Sequence, residues 1–166
     1  PMHGWRVEAN WMQGRSFGRG QAETGKVNHF EAQAQGAWSW GVHTLSAYSR
    51  IGLSDGAQQL TPRYGLGGFQ QLSGYEPFQV SGSQIGLLRL GYQQRVANLY
   101  LTRGLVLGTS LEVGNAWDRP SDRGDGRLRK GMSLYLGADT AFGPVYSAVV
   151  YSPRVGSTLM IFVGRP

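Results

Sequence analysis

The chain holds no cysteine and only three histidines, His3, His29 and His43, well apart in sequence. A structural zinc site built on thiolates and imidazoles is therefore not expected, and no other cofactor is called for. No apolar run approaches the roughly 18 residues that a membrane-spanning helix needs. Charge is sparse at 16% of residues, against a usual share of about 25%. No Gly-x-Ser-x-Gly elbow occurs. The nearest string, Gly108-Thr109-Ser110-Leu111-Glu112, lacks the second glycine and falls within a strand pattern, so a serine-hydrolase nucleophile is not read here. Glycine-rich strings such as Gly65–Gly68 do not follow the strand, loop and helix order of a phosphate cradle. No secretory leader opens the chain, since Pro1-Met2-His3-Gly4 runs directly into a strand pattern. The expectation is a fragment or a processed piece whose N-terminal part lies elsewhere.

Glycine, in contrast, is abundant. Its 26 residues in 166 are about double the usual share of roughly 7%. The net charge of +6 raises the question of nucleic acid, but the basic residues are scattered. The densest cluster, Arg123, Arg127, Arg129 and Lys130, is interrupted by Asp125 and reads as a solvated loop, so no nucleic-acid partner is expected. Asp118, Asp122 and Asp125 suggest calcium. Arg119, Arg123 and Arg127 interleave and neutralise them, and the spacing is not that of an EF-hand.

Eight stretches alternate apolar and polar residues at period two. The clearest places Phe30, Ala32, Ala34, Gly36, Trp38 and Trp40 on one face and His29, Glu31, Gln33, Gln35 and Ser39 on the other. The remaining strands are expected near 4–13, Val42–Ile51, Gln84–Arg95, Tyr100–Asn115, Met132–Phe142, Val145–Tyr151 and Thr158–Gly164. Long connections (Gly14–Lys26, Gly52–Gly82, Ala116–Gly131, Ser152–Ser157) alternate with tight ones (Trp40–Gly41, Val96–Leu99, Phe142–Val145). Antiparallel transmembrane barrels show this asymmetry of loops at one end and turns at the other. The expected fold is all-β, an antiparallel transmembrane barrel of which this chain supplies eight strands.

Leu88, Leu90, Leu105, Leu107, Leu111, Leu134 and Leu136 stand opposite small or charged positions. In a membrane barrel they face lipid; in a soluble barrel the faces reverse, with Trp5, Trp11, Trp38 and Trp40 lining an apolar ligand site. Aromatic placement favours the membrane. Trp38, Trp40, Tyr100, Phe142 and Tyr146 lie beside the short turns, and Trp117 and Tyr151 near the long loops, as in girdles at lipid–water interfaces. A pore or enzyme using lumenal Arg89, Arg95, Glu112 and Asp139 is the alternative within that fold. His29, on a polar face, is expected in the lumen or near a loop.

Residues 64–75 read Tyr-Gly-Leu-Gly-Gly-Phe-Gln-Gln-Leu-Ser-Gly-Tyr, with Phe78 following. A loop this apolar needs shelter, and its glycines permit a fold-back, so the loop at 53–82 is expected inside the barrel. Here the chain resembles the bacterial surface antigen superfamily of outer-membrane barrels. These carry a glycine-rich motif ending Arg-Gly-Phe or Arg-Gly-Tyr on a plug loop, followed by five strands. Gly67, Gly68, Phe69, Leu72, Ser73, Gly74 and Tyr75 stand at that motif, and five strands follow. Leu111-Glu112-Val113-Gly114-Asn115-Ala116-Trp117, Gly137–Tyr146 and Phe162–Pro166 resemble its later strand motifs. The motif most resembles the barrels fused behind patatin-like phospholipases.

The resemblance implies a C-terminal half of a sixteen-stranded barrel in a bacterial outer membrane. Its role would be translocator or membrane anchor, without chemistry of its own, any phospholipase activity belonging to an absent N-terminal domain. It also implies outer-membrane lipid, a linked passenger and the outer-membrane assembly machinery as partners. Eight strands closing alone leave an interior only just filled by their own side chains. Either further strands are supplied, or two copies associate as a homodimer, or the loop is expelled. Two departures stand out. The chain ends on Pro166 where the family has an aromatic, and Ser73 replaces the motif arginine, which reaches an acid on the barrel wall in the family. The hold is therefore expected to rest on Phe69, Leu72 and Tyr75, with Ser73→Ala doing little. An Arg89–Glu112 cross-strand pair is expected to stand in for the lost wall contact.

Overall fold

The computed structural model describes residues 3–15, 26–55, 63–97, 104–118, 128–140 and 143–164. Ten strands appear in the order β1 (Gly4–Arg15), β2 (Lys26–Trp40), β3 (His43–Asp55), β4 (Tyr64–Leu66), β5 (Val80–Gly82), β6 (Gln84–Ala97), β7 (Leu105–Trp117), β8 (Arg129–Thr140), β9 (Gly143–Ser152) and β10 (Gly156–Val163). Eight of them form one antiparallel sheet in the order β1-β2-β3-β6-β7-β8-β9-β10; β4 and β5 form a separate two-stranded ladder. The eight long strands and their antiparallel pairing follow the dyad pattern of the sequence. The sheet is open, however. β1 pairs only with β2 and β10 only with β9, so these eight strands do not close on themselves.

Register makes the two faces distinct. One row runs Trp11–Phe30–Leu53, and others run Ala47–Leu90–Leu111–Met132–Tyr151 and Tyr92–Thr109–Leu134–Val149–Leu159. This face is bare and apolar: Leu88, Leu90, Leu107, Leu111, Leu134, Leu136 and Ile161 are all exposed. The opposite face carries Glu8, Gln33, Arg50, Arg89, Glu112 and Ser133, and residues 63–83 lie over its β6–β10 part and reach β3 and the start of β2 through Tyr64. Trp5, Trp11, Trp38 and Trp40 belong to the bare face and are exposed.

Boundaries moved where packing reached beyond the pattern. β3 extends to Asp55 because Leu53 continues the apolar row opposite Phe30, taking the first residues of the anticipated loop. β7 starts at Leu105, which puts Leu107 near the turn end rather than mid-strand. Tyr100, Phe142 and the turn at 98–99 lie outside the described residues, as do Asp122 and Asp125. Tyr146, anticipated in an outer aromatic girdle, instead faces the loop, where its ring lies 5.4 Å from Phe69. Arg95 and Asp139 share the loop-bearing face but sit at the turn end, away from Glu112. Trp40 and Tyr92 instead flank His43 at that end of the outer face, with His43 Nδ1 2.8 Å from the Tyr92 hydroxyl.

Candidate functional site

The site is the seat of the loop on the sheet. β4 and β5 pair through Tyr64–Gly82, Gly65–Ser81 and Leu66–Val80 and bring the loop off the sheet and back. Between them the chain turns tightly. Gly67 N–H donates to the Gln71 carbonyl at 2.6 Å, Gly68 N–H to Tyr75 at 2.8 Å and Gln71 N–H to Gly68 at 3.1 Å. Gly67 sits at φ +130, and a Cβ there would lie 2.0 Å from the Glu76 carbonyl oxygen, so no other residue fits. Gln70 and Leu72 also hold positive φ, at 61° and 80°. Such conformations cost about 1–3 kcal/mol each and persist only where surroundings impose them.

What imposes them is burial. Leu72 is 0% exposed and packs with Tyr64, Leu66, Tyr75, Val80, Ile85 and Leu87. Phe69 enters a second cluster with Tyr135, Ala148 and Val150. Its ring meets Tyr135 edge-on at 5.4 Å and Phe162 at 5.8 Å. Tyr64 stacks on His29 at 4.7 Å and donates its hydroxyl to the Phe30 carbonyl at 2.7 Å. Burial, aided by the Glu31 carboxylate, pushes that hydroxyl up to about 12, which keeps it protonated and donating.

Between the clusters lies a polar latch. Ser73, 0% exposed, donates its backbone N–H to Glu112 Oε2 and its hydroxyl to Glu112 Oε1 at 2.9 Å. The Ser110 hydroxyl donates to the same Oε1 at 2.5 Å and lies 2.6 Å from the Ser133 hydroxyl. Ser73 Oγ in turn accepts the Gln70 N–H at 3.0 Å. Hydrogen bonds to a carboxyl group in a dry site are stronger than neutral ones. The loop reaches this far in because the wall opposite is bare: a Cβ on Gly131 would stand 2.6 Å from the Ser73 carbonyl oxygen.

These contacts correct two expectations. Ser73 is not a passive replacement for arginine; it is the loop's tie to the wall acid, made half by its backbone. Arg89 and Glu112 do stand directly opposite each other in the β6–β7 register, yet each is engaged by the loop rather than by the other. Arg89 donates to the Gln70 carbonyl at 3.1 Å, with its guanidinium 4.9 Å from the Tyr48 ring centroid. Gly67, Gly68, Phe69, Leu72, Ser73, Gly74, Tyr75, Arg89 and Glu112 thus form one seat. Sequence reasoning missed Tyr64, Ser110, Gly131, Ser133 and Tyr135; the run of small residues on the inner positions of β7 and β8 was the signal for Ser110, Gly131 and Ser133. It also missed Arg129, which donates to Asn115 Oδ1 and lies 6.0 Å from the Tyr75 ring centroid.

Ser73→Ala is expected to weaken the latch by about 1–2 kcal/mol, because the backbone N–H still donates. Glu112→Ala is expected to cost more, since it strands three buried donors. Proteolysis rates of the loop check the order; equal rates in both variants would contradict it.

The contacts of the seat are packing and hydrogen bonds. Its hydroxyls face a carboxylate with no imidazole beside them, His29 being committed to Tyr64. Among the described residues no group of three or more His, Cys, Asp or Glu could hold a metal. Asp118 is taken up by Arg63 at 3.2 Å and by the Ser83 N–H at 3.3 Å. No protein-family model matches the chain, and no curated protein matches it closely enough to count as a relative.

Proposed function

We propose that this chain is part of a transmembrane β-barrel of a bacterial outer membrane, acting as translocator or membrane anchor for a passenger domain and performing no chemistry itself. The observation that carries the reading is the inversion of the sheet: its bare face is apolar and its polar face is covered by a latched loop. A soluble sheet buries its apolar face and shows the polar one to water. Strand length supports the same reading. Seven of the eight have 10 to 15 residues, whereas a tilted strand crosses a bilayer in about 9–11 and ordinary strands have about 5–6.

The open edges bear on assembly. In lipid an unpaired backbone group costs several kcal/mol, so β1 and β10 must both be paired. Since eight strands alternate in direction, β1 and β10 run antiparallel, and a further even number of strands closes the wall. Eight more, from elsewhere in the protein or from a second copy, make the sixteen that the family resemblance implies. The face of β1–β3 beyond the loop then lines a wet lumen, and its side chains already satisfy one another. Gln33 donates to Glu8 at 2.7 Å, Tyr48 to Gln33 at 3.2 Å and Arg50 to Glu31 at 2.7 Å.

The passenger assignment and the patatin-like phospholipase in particular rest on the motif at 67–75. Flotation of the purified chain with lipid vesicles tests membrane insertion. Insertion with a protected loop supports the reading, and a folded, monodisperse protein in plain buffer contradicts it.

A further inference from the structure

The bare face is not smooth. Between β6 and β9, near the loop end, it carries a groove of about 320 Å³ whose walls include Leu88, Leu90, Leu111, Met132 and Tyr151; Glu112 also lines it, with its carboxyl oxygens taken up by Ser73 on the loop side. Register explains its shape. Val113, a short side chain, separates Leu88 from Lys130 in one row, and the next row is Leu90–Leu111–Met132–Tyr151. Lys130 is the single charged residue among the described outward positions of β6–β9. It is exposed, and the residues beside it are Val113 and the groove-lining Pro153. No carboxylate among the described residues forms an ion pair with it.

An exposed ammonium at an apolar channel, on a face read as turned to lipid, is complementary to an anionic lipid. Its four-carbon stem lies along apolar surface while the charged end reaches the interface, where it attracts anionic headgroups. We infer that this groove is a binding site for one acyl-chain lipid with an anionic phosphate headgroup, for which phosphatidylglycerol serves as the probe. One acyl chain lies along Leu111 and Met132, and the phosphate meets Lys130, with the half-exposed Tyr151 hydroxyl at the rim. The inference rests on the membrane reading above. It adds a specific lipid contact at a place that the translocator role does not require.

The test uses the full chain reconstituted into mixed phosphatidylcholine and phosphatidylglycerol vesicles, then extracted in mild detergent for native mass spectrometry. Flotation of the same vesicles reports insertion separately, so loss of the membrane reading is seen on its own and overturns both. In inserted protein, one phosphatidylglycerol is expected to be retained over phosphatidylcholine by roughly fivefold, the preference that one surface cation provides. Lys130→Gln is expected to abolish the preference, Leu111→Trp to displace the lipid by filling the groove, and Lys26→Gln to change nothing. Retention by Lys130→Gln equal to that of the parent would overturn the site. So would equal loss in Lys26→Gln, which would reduce it to general surface attraction.

Discussion

Truncating Phe69 and Leu72 together to alanine is expected to release the loop at 63–83 while the eight-stranded sheet stays folded. Both side chains are buried in separate clusters, and each truncation of this kind costs about 2–5 kcal/mol. The two act on one loop, so their effects do not simply add. Even about 4 kcal/mol raises the open population on the order of a thousandfold. Cleavage by proteinase K follows that population when opening is fast, so the loop of the double variant should be cut orders of magnitude faster than the parent's. Cleavage at equal rates would mean that the loop is not held where the seat places it.

The second large effect concerns the other face. Leu134 stands near the middle of β8 and is exposed on the bare face. Leu134→Arg is expected to cost about 2–4 kcal/mol in a bilayer, the usual penalty for a cation at the midplane of a barrel wall. Leu107→Arg, near the turn end of β7, should cost less because such penalties fall toward the interface. Unfolding titrations in vesicles check both. Equal and negligible costs would indicate that neither position meets lipid.

How much of this was legible in the residues depends on how local the cause was. The dyad of β2 is written in Phe30 to Trp40, and its pairing with β1 and β3 follows from facing apolar rows. The open edges were not legible, because whether β1 and β10 meet is decided by curvature and strand number across the whole sheet. The β4–β5 ladder escaped notice because Tyr64–Leu66 and Val80–Gly82 are too short to show a period. The burial of Phe69, Leu72 and Tyr75 was readable as apolar residues needing shelter. The latch was misread for a physical reason. Ser73 ties to Glu112 partly through its backbone N–H, which any residue but proline has, so side-chain chemistry alone could not reveal it. The opposition of Arg89 and Glu112 was readable from the turn, but the loop's Gln70 and Ser73 outcompete each for the other. Tyr146 was misplaced because proximity to a turn does not say which face a residue takes.

The central claim is that one face of this sheet meets lipid and the other water. Since the chain has no cysteine, single cysteines along β2 from Glu31 to Trp38 can each carry one fluorescent label in vesicle-reconstituted protein. The loop meets this strand through Tyr64 at His29 and Phe30, before the labelled stretch, so labels from Glu31 to Trp38 replace none of the seat residues. Labels at Ala32, Ala34, Gly36 and Trp38 should be quenched by a bilayer-embedded quencher and spared by iodide. Those at Glu31, Gln33 and Gln35 should show the reverse. Quenching by iodide at every position, or the opposite alternation, would contradict the account.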